Sequence, residues 1–149
     1  MNPLTLISIL STLGMLDAGY LLYTRIAGVS IACGPVFHGC NEVAASTYSV
    51  LFGVPLSAWG LLFYISMFKL AIHMRYQLLE RVGLGALRPY LSQMLLIAAT
   101  LGVVSSAYFI YLQGFVINAW CMYCVFSACI SVALFATTVW YLQTQKEIR

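Results

Sequence analysis

Charge is what this sequence has least of. Its 149 residues include 7 Lys and Arg against 4 Asp and Glu, together 7% of the chain, where a soluble domain carries roughly 25%. That shortage excludes an ordinary water-soluble domain, and the 62% hydrophobic content identifies an integral membrane protein. There is no basic, aromatic-interleaved surface, so nucleic acid is not an expected partner, and no glycine-rich phosphate motif. Internal repeats and low-complexity tracts are missing too. No Lys or Arg precedes the first apolar run and no small-x-small pattern follows it, which argues against a cleaved signal peptide. The length accommodates one compact bundle, with nothing left over for a soluble domain.

What is present is long apolar runs. About twenty such residues cross a bilayer core, and spans are predicted at about 3–23, 54–72, 90–112 and 119–142, forming a single membrane domain over 1–149. Asp17 lies within the first span. An ionisable group there needs a partner or a water-filled cavity, so it is either a polar contact between helices or part of an active cavity. The loop 25–53 is broken by Gly28, Gly34, Pro35 and Gly39. Its second half, Asn41 to Tyr48, reads as a short amphipathic helix with an Asn cap and Glu42 in its first turn, lying on the membrane surface. Pro55 suits the first turn of the second span, and Trp140 and Tyr141 suit an interface.

Positive charge sets the orientation. Lys69, Arg75, Arg81, Arg88, Lys146 and Arg149 fall on one side, with the basic connector 73–89, and only Arg25 on the other. The positive-inside rule then puts both termini in the cytoplasm and the loop 25–53 outside, in a cell (inner) membrane. All of Cys33, Cys40, Cys121 and Cys124 converge on that outer, oxidising side.

Cys121-Met122-Tyr123-Cys124 sits where the last span begins. Two intervening residues at a helix end put both sulfurs on one face, and unpaired terminal amides favour a thiolate. A flexible pair in a loop and a rigid pair at the membrane boundary suggest a thiol–disulfide relay to a lipid-soluble electron carrier. Two structural disulfides, or a four-thiolate zinc site, are the other readings. Cys129 reads as a small buried apolar residue, and His38 as either a modulator of a neighbouring thiol or a solvated loop residue.

The order of these motifs resembles the vitamin K epoxide reductase family. It comprises Cys33 and Cys40, Ser46 six residues on, the turn Phe52-Gly53, the helix segment Gly60-Leu61-Leu62-Phe63-Tyr64, and Trp120-Cys121-Met122-Tyr123-Cys124. The resemblance covers essentially the whole chain. It implies an all-α, four-transmembrane-helix bundle with the loop helix capping the active site. It implies that Cys33 exchanges with a separate thioredoxin-fold protein, Cys40 passes electrons to Cys121, and Cys124 meets a quinone: ubiquinone, menaquinone or vitamin K. Ser46 would bond a quinone oxygen or support the cap, while Trp59, Phe63 and Tyr108 would line the pocket. No metal is implied. Epoxide-reducing members carry an Asn near the second core helix and a Thr-Tyr pair after Cys-x-x-Cys; the corresponding stretches here are Val54-Pro55-Leu56-Ser57 and Val125-Phe126-Ser127-Ala128. The expected activity is therefore oxidation of a thiol partner at the expense of a respiratory quinone. Vitamin K epoxide or quinone reduction from a thiol donor, and a non-enzymatic tetraspan scaffold, are the alternatives.

Overall fold

The computed structural model describes residues 2–34, 39–76 and 88–147. Its elements in order are α1 (Pro3–Ala27), the short α2 (Cys40–Ala45), a 3-10 turn (Thr47–Ser49), β1 (Val50–Leu51), β2 (Val54–Pro55), α3 (Leu56–Arg75), α4 (Arg88–Tyr111) and α5 (Met122–Glu147). Four helical stretches, Pro3–Ala27, Leu56–Arg75, Tyr90–Ile117 and Met122–Gln145, are long and apolar enough to span a bilayer. This is an all-α, multi-pass membrane fold. Most of the connector 73–89 and the residues His38 and Arg149 lie outside the described residues.

Local chemistry sets the ends of these helices. Asn2 accepts the Leu4 amide through Oδ1 at 3.0 Å, and Pro3 fills the first turn, where its missing N–H costs nothing. α1 runs past Tyr23 to Gly28, whose φ of 66° lets its own amide and that of Val29 turn back onto the Thr24 carbonyl. Pro55 stands at the start of α3, as its N-cap rather than inside the first turn. It closes β2, because Phe52 and Gly53, at φ 55° and 79°, form a two-residue hairpin turn pairing Val50 with Pro55 and Leu51 with Val54. At the far end of α4 the expected short turn is instead a π-helical continuation, Leu112–Ile117. Asn118 stops it in the left-handed conformation, and the Asn118 and Ala119 amides return to the Gln113 carbonyl.

The four long helices close a ring, α1 against α3, α3 against α4, α4 against α5 and α5 against α1. Its core includes Ile7, Tyr64, Met67, Leu95 and Leu134. The Tyr64 ring lies so close to α1 that a Cβ at Gly14 would overlap it, and Phe63 crowds Gly102 on α4 in the same way. These two glycines let aromatic side chains fill the inside of the bundle. The outer faces stay apolar, with Leu16, Ile97, Val104 and Val132 exposed, as suits a surface solvated by lipid. Several helix hydroxyls are spent locally, Ser8 donating to the Leu4 carbonyl, Thr12 to Ser8 and Thr138 to Leu134, which keeps those donors satisfied in a segment surrounded by hydrocarbon; among the described residues the buried Ser11 hydroxyl has no such partner.

The segment between α1 and α3 folds over one end of the ring. α2 is shorter than the predicted 41–48 helix, and its cap is Gly39 rather than Asn41. Asn41 is otherwise engaged: its Oδ1 accepts the Ile31 amide at 2.8 Å and its Nδ2 donates to the Ile31 carbonyl at 3.3 Å. Ser46 ends α2 by directing both its amide and its hydroxyl at the Val43 carbonyl. Arg25, in the last turn of α1, holds the Ala44 carbonyl and reaches the Ser49 hydroxyl.

Candidate functional site

Both cysteine pairs lie at the end of the bundle covered by α2. Cys33 and Cys40 are joined as a disulfide, with their Cα atoms 6.0 Å apart. Cys33 is partly exposed, whereas Cys40, opening α2, is 0% exposed and packs in one buried cluster with Ile31 and Cys121. Gly39 explains how Cys40 comes so near. A Cβ there would lie 2.7 Å from both the Ala119 Cβ and the Trp120 amide nitrogen, so only glycine lets this loop rest on the chain entering α5.

Cys121 occupies the N-cap position of α5. Its carbonyl accepts the Val125 amide, and its Sγ accepts the Cys124 amide at 3.4 Å, where a Ser or Asp oxygen would ordinarily cap a helix. Its own amide donates to Oε1 of the buried Gln113 at 2.8 Å, and Gln113 Nε2 reaches back to the Phe109 carbonyl. The Cys124 thiol and then the backbone amides of Cys124 and Tyr123 donate toward the Cys121 sulfur. Together they outweigh its burial and bring its pKa down from the usual thiol range to about 7. Cys124 stands one turn on, half-buried; both thiols are free.

Two tyrosines tie the pairs together. Tyr123, between the two thiols, donates from its hydroxyl to the Ala32 carbonyl at 3.0 Å, and Tyr20 of α1 accepts the Ala32 amide at 3.4 Å. Their rings meet with centroids 5.1 Å apart. Ala32 immediately precedes Cys33, so this clasp sets the loop disulfide against the Cys-x-x-Cys.

Beneath α2 the bundle encloses a cavity of about 410 Å³ with largely carbon walls, within the usual range for small-molecule sites. Cys40, Cys121, Cys124, Ser46, Trp59 and Phe63 all line it, as does Asp17. Trp59 also donates from Nε1 to the Leu51 carbonyl, bracing the hairpin. Tyr108 is not part of this wall. It is 54% exposed on the outer face of α4, and its neighbour Phe109 lines the cavity instead. The Ser46 hydroxyl donates its hydrogen bond to the Val43 carbonyl, an arrangement that serves the cap. Cys129 lies on the outer face of α5, toward lipid rather than the protein interior, because five residues from Cys124 carry it around the helix away from the bundle interior. Among the described residues, no group of three or more His, Cys, Asp or Glu is placed to hold a metal ion.

Gln113, Gly39, Asn41, Tyr20 and Tyr123 were not anticipated as parts of the site. Gln113 left a trace, a lone amide ending an apolar run, and Gly39 stands directly before a site cysteine. The partners of Asn41 and of the two tyrosines depend on how distant segments meet, and no local pattern announces that.

A membrane-spanning four-helix protein with two cysteine pairs gathered around one cavity is the class that these features define. The chain belongs to the vitamin K epoxide reductase family, matched over residues 5–139. It is also similar to the thiol-disulfide oxidoreductase LTO1 of Arabidopsis thaliana, with 33% identity over 132 residues, covering 84% of this chain and 33% of that protein. The chain thus spans about a third of the length of that relative.

Proposed function

We propose that the protein is a membrane thiol–disulfide oxidoreductase that draws two electrons from a thioredoxin-fold partner and delivers them to a quinone in the cavity beneath α2. The observation that carries this reading is the gradation in burial along one path. Cys33 is accessible, Cys40 and Cys121 are buried in a single cluster, and Cys124 stands in the cavity wall.

A partner thiolate attacks Cys33, the accessible sulfur, and Cys40 leaves as the thiolate. Once a quinone has oxidised the Cys121–Cys124 pair to a disulfide, Cys40 attacks Cys121, releasing Cys124, and a second partner thiol resolves the mixed disulfide at Cys33. The freed Cys33 thiolate then attacks the Cys40 sulfur, re-forming the Cys33–Cys40 bond and releasing Cys121 as a thiolate, which leaves Cys121 and Cys124 reduced. Cys121 leaves readily, since the donors around its sulfur stabilise the thiolate. Cys124 then faces the cavity as the electron donor. A bound quinone supplies the sink for two electrons and two protons. The carbon walls, with Trp59 and Phe63, suit a flat apolar ring, and Ser46 supports the lid above it. The excess of Lys and Arg at the opposite side supports placing the cysteine end on the outer side of a cell membrane and both termini in the cytoplasm.

The test is quinone reduction by purified protein supplied with a reduced thioredoxin-fold donor, followed by quinone absorbance. Cys124→Ala is expected to abolish turnover while Cys33–Cys40 still exchanges with the donor. Retained turnover overturns the relay. Consumption of vitamin K epoxide from a dithiol, with no reduction of ubiquinone or menaquinone, would reassign the acceptor.

A further inference from the structure

Asp17 stands within a bilayer-spanning helix and is only 7% exposed. Its carboxyl lies near the Ser127 hydroxyl of α5. Its oxygen Oδ2 is buried with no hydrogen-bond partner among the described residues. A buried carboxyl oxygen without a partner is among the costliest groups to keep inside a membrane, and this one forms part of the cavity wall shared with Cys121 and Cys124. Behind it lies a chain of hydroxyls. The Tyr64 hydroxyl is 2.6 Å from Ser127 Oγ and 3.5 Å from Ser131 Oγ, and 3.0 Å from the Ser127 carbonyl that it can donate to, so a run of hydroxyls lies beside Asp17.

The other titratable groups nearby are committed elsewhere. Tyr64 is engaged with Ser127, Tyr123 donates to the Ala32 carbonyl, Arg25 holds Ala44, and Tyr48 is at the exposed rim. The thiols of Cys121 and Cys124 are the reacting groups themselves. Among the described residues, Asp17 alone combines a place in the wall, a buried oxygen without a partner and a run of hydroxyls beside it.

We propose that Asp17 is the proton-transfer residue of the cavity, giving its proton to a quinone oxygen and being reloaded by a proton from the Cys121–Cys124 pair. This rests on the quinone-linked reading above. The balance closes: two S–H bonds break and one S–S bond forms, two electrons leave the sulfurs, and two protons end on the two quinone oxygens. Asp17 passes one of them and finishes as it began.

The experiment compares wild type, Asp17→Asn and Asp17→Glu with a short-chain ubiquinone. Equilibrium binding is read first, from quenching of tryptophan fluorescence in the oxidised protein, which cannot turn over. Exchange at Cys33–Cys40 with a dithiol is read beside it. Asp17→Asn, whose amide can donate a hydrogen bond but not a proton, is expected to bind within about threefold of wild type and exchange normally. Its kcat for quinone reduction should fall by about 10²–10⁴-fold. Asp17→Glu restores a carboxyl and should keep at least about a tenth of wild-type kcat; it carries the test if the Asn chain fails to fold. Equal kcat in wild type and Asp17→Asn overturns the inference alone, as does loss of binding in Asp17→Asn with exchange intact, or a Glu chain that binds quinone but is as inactive as the Asn chain. A wild-type chain that binds and reduces no quinone overturns the parent reading, and this one with it.

Discussion

Single atoms decide much at this site. The Cys121 sulfur takes the place of a capping oxygen, so its thiolate is favoured by the same amides that would otherwise be unpaired at the start of α5. In the reduced protein, alkylation of Cys121 should therefore rise with pH to half its maximum near pH 7. Cys124→Ala, which removes the first of its donors, should move that midpoint upward, toward the ordinary thiol range. Mass-spectrometric alkylation rates between pH 5 and 10 would show both. An unmoved midpoint in the variant would assign the effect to the backbone amides alone. Gly14 is equally sharp in its demand. A methyl group there meets the Tyr64 ring, so Gly14→Ala should cost about 1–3 kcal/mol through overpacking, seen as a lower midpoint of thermal unfolding in detergent. It should also disturb the Tyr64 bond to Ser127.

At the scale of elements, the spans were legible because an unbroken apolar run of bilayer length has few other uses, and Cys-x-x-Cys was legible because the spacing is itself the geometry. The cap was less so. The same stretch that reads as a helix over 41–48 is divided, because Asn41 satisfies Ile31 and Ser46 satisfies Val43, both contacts made by side chains that could have continued the pattern. Tyr108 and Phe109 show the same limit. In a helix apolar on all sides, hydrophobicity gives no direction, and which of two adjacent aromatics faces inward is settled by packing. The Asn41 clamp makes a prediction at this scale. Asn41→Ala removes two hydrogen bonds, about 1–3 kcal/mol in sum, and should loosen α2 enough to raise the rate at which a small dithiol reduces Cys33–Cys40. Asn41→Asp keeps the acceptor for the Ile31 amide but sets an oxygen against the Ile31 carbonyl, and should loosen it as well. Rates equal to wild type in both variants would show that the Tyr20 and Tyr123 clasp holds the loop unaided.

For the molecule as a whole, the sulfurs that exchange in the proposed relay are held by different parts of the ring. The hydrogen bonds that hold α2, which Cys40 opens, come from α1 and the chain just after it, Arg25 on Ala44 and Ile31 on Asn41, while Gly39 rests on the chain entering α5. What fixes Cys121 comes from the end of α4, through Gln113. Gln113→Ala leaves the buried Cys121 amide unpaired, and should slow transfer from the loop pair to Cys121 while leaving attack on Cys33 unchanged. Rapid-quench trapping of the mixed disulfides separates those two steps. Tyr123, reaching from α5 to Ala32, bridges the two parts directly.

That division makes the bilayer itself a participant. Tilt is the inexpensive way for helices to answer a change in hydrocarbon thickness, and a tilt of α1 relative to the α4–α5 pair would alter the distance between Cys40 and Cys121 across which the proposed relay works. The lipid would then act as a tuning screw on sulfur-to-sulfur exchange, setting the pace of the reaction without touching any reacting atom. Reconstitution in vesicles of graded acyl-chain length should give a rate with an optimum thickness, and removal of the Tyr123 hydroxyl should make that optimum sharper.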